Sequence, residues 1–473
     1  MVGRNEEIQI LEDCSESKQP EFLALYGRRR VGKTYLIKEF FHETFAFYAT
    51  GEQDGNTKEQ LKAFRESLIE YGDETNSIPK DWFEAFSRLR RLLERDDVQR
   101  DYRAGKRVIF LDELPWMDRA RSDFKSALDF FWNSWGSAKK DVFLIVCGSA
   151  TSWIINNIIN DTGGFYNRIT KQIHLRPFSL RECEQYLLQK NIDFTRKQIV
   201  QSYMVFGGIP YYLNYLDRRY SIDQNIDILF FRENSPLKYE FKMLFSSLFK
   251  NAEQYISIVR EIALRKKGVT RQELLESGKT VKGKELTGCL ESLGQCGFVR
   301  KYRDFTQKTN GCRYQLIDPF CLFHLSFLET GKTESWLDYI NTPGYHSWSG
   351  LAFENVCLLH TKQIKHSLGI TGITSWEYSW SSKKSSPGVQ IDLLIDRKDD
   401  VINICETKFT ENEFEITAAY EKDLKRKVEV FREETNSKKS LQLTMISFSG
   451  VKHNAYKNVV VHDLTGDDLF DGG

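Results

Sequence analysis

The sequence predicts an α/β chain with two sheets, one near each end. Three observations predict it. Residues 27–34 read Gly27-Arg28-Arg29-Arg30-Val31-Gly32-Lys33-Thr34, which fits the phosphate-loop pattern G-x-x-x-x-G-K-[ST], and they stand between a short apolar run and a stretch with helical spacing. Two later apolar runs, 107–112 and 141–148, end in Asp112-Glu113 and in Ser149, as buried strands do at the edge where open α/β sheets bind ligands. Near the C-terminus, 389–396 and 401–408 read as paired strands carrying Asp392 on one and Glu406 and Lys408 on the other.

Composition narrows the class. The chain has 473 residues, of which 41% are hydrophobic and 28% charged, enough for two to four domains with real cores. A net charge of +1 excludes a global electrostatic signature for nucleic acid, so any basic surface must be local. Nine cysteines, an odd number without a C-x-x-C pair, argue against a disulfide framework and a zinc site and fit a reducing, cytoplasmic setting. The polar N-terminus does not read as a signal peptide, and no apolar run reaches the roughly 18 residues of a membrane span.

Taken in order, residues 2–12 read as a turn entering a helix, 22–26 as a buried strand, and 35–41 as a helix. Gly27 and Gly32 let the loop fold tightly, so that its N–H groups face phosphate oxygens at the helix N-terminus. Lys33 is expected to reach the β/γ-phosphates and the Thr34 hydroxyl to ligate Mg²⁺. A strand within 45–49 and a helix over 82–93 follow. At the end of the 107–112 strand, Asp112 is expected to hold Mg²⁺ and Glu113 to polarise the attacking water; the alternative is an exposed acidic turn. Ser149 is placed either to sense the γ-phosphate or to cap a helix over 150–159. A Gly-turn over 161–168 leads to Arg168, which reads equally as an arginine finger for a neighbouring subunit or as half of a structural salt bridge. A last strand precedes Ser179, the N-cap of a helix over 180–190.

Residues 191–240 read as helical, interrupted at Gly207-Gly208 with Pro210 opening a new helix; Arg218 and Arg219 are weak sensor candidates. Three helices within 255–296 and strands at 298–303 and 313–317 make a winged helix. Residues 260–313 hold 13 Lys and Arg against 6 Asp and Glu, a local net of +7. That patch suits DNA phosphates, although domain packing is the alternative use. A connector at 319–328 and a linker at 330–349 lead to a helix over 351–360 with Glu354, a strand at 373–380, the two paired strands, a helix over 411–434, and strands at 441–448 and 459–462. Glu406 and Lys408, two apart on a strand, share a face directed at Asp392. Asp392, Glu406 and Glu354 could bind Mg²⁺ or Mn²⁺, with Lys408 orienting water or the scissile phosphate. Charges on an exposed hairpin are the alternative.

With these residues assembled, the chain resembles, over nearly its whole length, the archaeal-type P-loop ATPases of the AAA+/STAND group that carry a C-terminal PD-(D/E)XK nuclease-like domain. The resemblance rests on Gly3-Arg4, Gly27–Thr34, Leu111-Asp112-Glu113, Gly148-Ser149, the run from Tyr314 to Phe320, and Asp392 with Glu406-Thr407-Lys408. It implies an AAA+-like α/β core (1–178) with Gly3 and Arg4 near the adenine, a helical lid (179–245), a winged helix (246–330), a linker (331–349) and a restriction-endonuclease-like α/β domain (350–473). The usual Pro before the first nuclease acid is missing, since Gln390-Ile391 precede Asp392. The implied function is an ATP-hydrolysing, DNA-acting protein with a metal-dependent nuclease domain, in defence or mobile-element biology, and ATP-dependent self-association. The alternative is a STAND-like ATP switch whose C-terminal domain binds without cutting.

Overall fold

A computed structural model describes residues 2–161, 163–165, 167–265, 268–305, 312–331, 333–382 and 384–471. Thr162 and Tyr166 of the predicted Gly-turn, Lys266, Lys267 and Lys308 of the basic segment, and most of the loop predicted between its two strands lie outside the described residues. The chain divides into two compact units, Met1–Pro177 and Phe178–Gly473.

In the first unit, five strands form one parallel sheet: β1 (Glu21–Tyr26), β2 (Phe47–Thr50), β3 (Arg107–Asp112), β4 (Val142–Gly148) and β5 (Lys171–His174), in the order β2-β3-β4-β1-β5. Every residue of β3 and β4 is buried, because helices cover both faces of a parallel sheet. That is why these strands read as unbroken apolar runs rather than alternating ones. The edge strand β5 buries only Ile173. Trp82, Phe86, Phe124, Phe131 and Trp132 pack with Phe22 and Phe47 in the core on one side of the sheet. The parallel register brings the C-terminal ends of β1, β3 and β4 together, and so aligns the phosphate loop, Asp112-Glu113 and Ser149.

The second unit opens with helices Leu180–Gln189, Arg196–Phe206, Ile222–Phe230 and Glu240–Leu248. Ser179 caps the first in a capping box with Glu182. Helices Ala252–Ala263, Arg271–Glu276 and Gly283–Gln295 follow, with strands β6 (Val269–Thr270), β7 (Val299–Arg303) and β8 (Cys312–Leu316) in an antiparallel sheet ordered β6-β8-β7.

Residues 331–349 are not the linker that their composition suggests. Trp336 is buried against Phe323, Phe327, Tyr339 and Trp348, and the following helix starts at Pro343 rather than at 351, running to Leu359. The cause is tertiary: an aromatic cluster orders a stretch without periodicity of its own.

The C-terminal sheet has the order β13-β12-β11-β10-β9, from β9 (Ser375–Ser381), β10 (Gln390–Arg397), β11 (Val401–Lys408), β12 (Ser440–Ser447) and β13 (His462–Leu464). β10 is antiparallel to both of its neighbours, β9 and β11, whereas β12 and β13 continue in parallel with β11. Helix Ala418–Thr435 makes the crossover between β11 and β12 and buries Leu424 and Phe431 against Trp380, Leu394, Ile402, Ile404 and Met445. The last strand starts three residues later than the 459–462 expected, because Lys457–Val459 form a 3₁₀ turn.

Candidate active sites

At the N-terminal site the chain leaves β1 through Gly27, whose φ of +148° and closeness to Leu175 exclude a side chain: a Cβ there would stand 2.2 Å from the Leu175 carbonyl oxygen. Gly32, at φ +92°, caps helix Lys33–Phe40. The buried Lys33 ammonium donates to the carbonyls of Gly27 (3.0 Å) and Arg28 (2.9 Å) and to Ser149 Oγ (3.1 Å). It therefore lies folded over its own loop, and links the loop to the end of β4.

Thr34 Oγ1 donates to Asp112 Oδ2 at 2.7 Å. One hydroxyl and one carboxylate, side by side at the helix start, suit Mg²⁺, which takes a few protein oxygens and keeps several waters. Asp112 Oδ1 accepts from the Glu113 N–H at 2.9 Å. The Glu113 carboxylate accepts from the Ser149 N–H (3.0 Å) and from the Ser149 hydroxyl (2.6 Å). Lys33, Ser149 and Glu113 thus form one hydrogen-bonded chain. Ser149 does not cap the next helix; that position belongs to Ala150, without a side-chain bond.

The structure also brings Gly3-Arg4 to this site. Both have φ of +62°, and Arg4 Nη2 donates to the Val31 carbonyl at 3.3 Å. Arg28 is buried, Arg30 takes a left-handed φ of +72°, and the Arg29 guanidinium lies 5.7 Å from the Trp116 ring centroid. Arg168 is exposed, and its charge is felt by Asp129. Motif reading missed Gly51, and it named Gly148 without the packing reason that the structure gives. A Cβ at Gly51 would come 2.7 Å from the Glu113 carbonyl oxygen, and one at Gly148 2.6 Å from Pro115 Cδ. Both admit the turn that carries Glu113, which itself has φ +45°. Only the fold reveals Gly51 and the reason for Gly148.

The second site lies on β10 and β11. Their register pairs Leu393 with Cys405, and one further step sets Asp392 opposite Glu406. Glu354, Gln390, Asp392, Asp423, Arg426 and Lys427 line a cleft of about 410 Å³. Burial and the neighbouring Asp392 push the Glu354 carboxyl up to about 8. Burial also raises Glu406, against the pull of Lys427. Lys427 donates to Glu406 at 2.7 Å, Gln315 donates to Glu354 at 3.2 Å, and Gln390 donates to Asp392.

Each acid is therefore held by a protein donor. Among the described residues, no group of three or more His, Cys, Asp or Glu is arranged to hold a metal ion. The predicted ligand set Glu354, Asp392 and Glu406 is thus brought into one neighbourhood but not into a ready ligand cage. Lys408 does not line the cleft; its ammonium lies 5.0 Å from the Tyr420 ring centroid and 5.7 Å from that of Phe414. Lys427, which sequence reasoning missed, faces the acids instead. Nothing local singles it out among the charges of its helix.

Residues 1–216 match the family described as an ATPase domain predominantly from Archaea, and carry an ATPase domain of that archaeal type. An uncharacterized protein of Methanocaldococcus jannaschii is 25% identical over 377 residues, 75% of this chain and 76% of the relative. An uncharacterized ATP-binding protein of the same organism is 51% identical over 39 residues, 8% of this chain and 66% of that one. Among solved structures, the Walker-type ATPase paby2304 of Pyrococcus abyssi is similar with a TM-score of 0.49 and 19% identity, over 69% of this chain and 96% of that one. The Aeropyrum pernix ORC2 protein, in its ADPNP–ADP complexes, is similar with a TM-score of 0.42 and 15% identity, over 70% and 95% of the two chains. No helix among the described residues is long and apolar enough to cross a membrane.

Proposed function

We propose that this chain hydrolyses ATP at the N-terminal site and uses its nucleotide state to govern a C-terminal domain that cuts DNA with Mg²⁺ or Mn²⁺. The observation that carries the first half is the contact of Thr34 with Asp112 beside the chain Lys33–Ser149–Glu113. Mg²⁺, when bound, supplies a positive charge that neutralises the transferred phosphoryl group. Thr34 and Asp112 are the residues that would hold it.

The loop N–H groups of 27–34 bind phosphate oxygens, and Lys33 exchanges its loop carbonyls for the β/γ-phosphates. Glu113 leaves Ser149 and takes a proton from the attacking water, while the Ser149 hydroxyl turns to the γ-phosphate. Arg168, exposed on the same unit, would serve a neighbouring copy, and Gly3-Arg4, held against the loop through the Val31 carbonyl, would stand near the adenine.

The C-terminal half of the proposal draws on the cleft, on its pair of acids with Lys427, and on a mixed sheet whose helix crossover follows the Glu-x-Lys strand. The winged helix expected over 246–330 would supply a basic surface for the duplex.

The test is ATP hydrolysis by wild type, Lys33→Ala and Asp112→Asn, run beside cleavage of plasmid DNA with Mg²⁺ or Mn²⁺ by wild type and Asp392→Asn. Hydrolysis lost in both loop variants, and cleavage lost in Asp392→Asn, support the proposal. A second reading, a slow ATP switch whose C-terminal domain binds without cutting, is favoured by one observation: both Glu113 oxygens are occupied by Ser149. Tight ATP binding without turnover, and duplex binding without cleavage, would select it.

A further inference from the structure

We propose that the short helix Pro210–Leu213 and the turn after it form a rigid tyrosine–arginine surface that binds single-stranded nucleic acid. The inference rests on neither of the sites above.

The surface begins where two glycines turn the chain. Gly207 caps helix Arg196–Phe206 at φ +66°, and Gly208, at φ +67°, lies so near Phe178 that a Cβ would stand 2.2 Å from its carbonyl oxygen. Pro210 then opens the short helix. The apolar side chains of the segment go inward: Ile209, Tyr212, Leu213 and Leu216 are buried, and the Tyr212 hydroxyl donates to Glu240 at 2.7 Å. The outward side is mainly aromatic and basic. Tyr211 and Tyr215 are each 38% exposed and Tyr220 is 37% exposed, and Arg218 and Arg219 are exposed between Tyr215 and Tyr220.

These side chains are held in place before any ligand arrives. The Tyr211 and Tyr215 hydroxyls lie 3.0 Å apart, with ring centroids 5.3 Å apart and planes at 77°. Lys190 donates to the Asn214 carbonyl at 2.7 Å and so ties this segment to the end of helix Leu180–Gln189. The turn is built on the buried amide of Asn225. Its Oδ1 accepts from the Asp217 N–H at 2.8 Å, and its Nδ2 donates to the carbonyls of Asp217 and Tyr220, both at 3.1 Å. Asp217 in turn accepts from the Arg219 Nε through both carboxylate oxygens, at 3.0 Å each, and the guanidinium lies 5.7 Å from the Tyr220 ring centroid. A surface fixed in this way loses little side-chain entropy on contact.

Its chemistry names the ligand. Exposed rings offer faces for stacking, and only unpaired bases can take them, because a duplex hides its own faces. Two guanidinium groups against the one carboxylate of Asp217 leave the turn cationic, which suits the phosphates of the same strand. A bound peptide would need an apolar centre to anchor it, and the aliphatic residues of this segment, Ile209, Leu213 and Leu216, are the buried ones.

The test uses the full chain without ATP or divalent metal, so it stands apart from hydrolysis and cleavage. Fluorescence anisotropy reads the binding of labelled oligothymidylate and oligouridylate of about 15 nucleotides. Wild type is expected to bind at least one of them. Tyr211→Ala with Tyr215→Ala should weaken that binding about tenfold or more, whereas Tyr211→Phe with Tyr215→Phe, which keeps the rings, should stay within about twofold. Arg218→Ala with Arg219→Ala should lower the magnitude of the slope of log affinity against log salt by about 1.4. Lys282→Ala with Lys284→Ala, in the basic segment, should leave the affinity unchanged. No binding by wild type, or unchanged affinity in the pair of Tyr→Ala substitutions, would overturn the proposal. So would competition by oligoglutamate that is lost with the two arginines but kept without the two tyrosines, since that result assigns the surface to an acidic peptide. Photocrosslinking of wild type to an iodouracil-substituted strand decides the matter even where a variant does not fold: the proposal requires a crosslink within Tyr211–Tyr220, and crosslinks confined to other segments would overturn it.

Discussion

Glu113 and Ser149 meet because parallel register sets the ends of β3 and β4 side by side. If Glu113 is the group that activates water, Glu113→Gln keeps the shape and the Thr34–Asp112 pair but removes the base. ATP binding should then stay within a factor of about two, while turnover falls by about 10²- to 10³-fold. Binding by fluorescence and steady-state phosphate release check this; equal turnover would remove Glu113 from the chemistry. His360 makes a separate residue-scale prediction. It is fully buried, its Nε2 accepts from the Leu180 N–H at 3.0 Å, and its Nδ1 lies 2.8 Å from the Val356 carbonyl, so it is held neutral and its pKa is pushed down to about 4. An unfolded histidine titrates near 6.5, so between these values the unfolded chain binds more protons than the folded one. The stability of the Phe178–Gly473 unit should be full above pH 6.5 and fall as pH drops toward 4, by up to about 3 kcal/mol from this group. Urea unfolding of wild type and His360→Gln across that range checks it. The variant's pH slope should shrink without vanishing, because burial lowers His324 in the same unit likewise. At this scale the sequence displayed Lys33, Thr34, Asp112 and Glu113, whose partners lie on adjoining strand ends. It hid Lys427 and Arg300, which reach the second site from 21 and 92 residues away along the chain.

Elements were legible where burial imposes its own period. β3 and β4 are covered on both faces and read as unbroken apolar runs; helix Trp82–Leu93 carries Asp81 at its N-cap and apolar residues at helical spacing. The stretch 331–349 was not legible, because its order comes from aromatic rings that converge from three elements rather than from any repeat. Trp336 is the centre of that cluster, with its indole N–H donating to Asp223 at 2.9 Å. Trp336→Ala should cost about 3–5 kcal/mol of the second unit's stability, through the cavity and the orphaned Asp223. Denaturant unfolding followed by tryptophan-independent circular dichroism checks the magnitude. A loss under about 1 kcal/mol would mean that the stretch is a linker after all. The same cluster shows why a composition rich in Gly, Ser and Thr misleads: four aromatic side chains outweigh the turn formers around them.

Across the whole molecule, charge is nearly balanced, so the local excess over residues 260–313 invites a nucleic-acid reading. The fold takes much of that excess back. Arg260 pairs with Glu329, Lys279 with Glu261 and Arg313 with Glu273, and Arg300 donates to the Asp392 carbonyl and to Gln315. Lys282, Lys284, Lys301 and Arg303 are exposed on the helix Gly283–Gln295 side and on β7. This partition can be measured. Each phosphate neutralised releases counterions, and the slope of log affinity against log salt is about −0.9 per contact. If these four cations make the contacts, duplex binding should show a slope near −4; if every basic residue of the segment took part, the slope would approach −12. Lys282→Ala with Lys284→Ala should then lower the magnitude of the slope by about two, whereas Lys279→Ala should leave it unchanged. A slope near zero would assign the segment to packing within the second unit. The hairpin already has that role through Phe305 and Arg300, so such a result would make the whole three-helix segment a wall of the C-terminal domain rather than a reader of DNA.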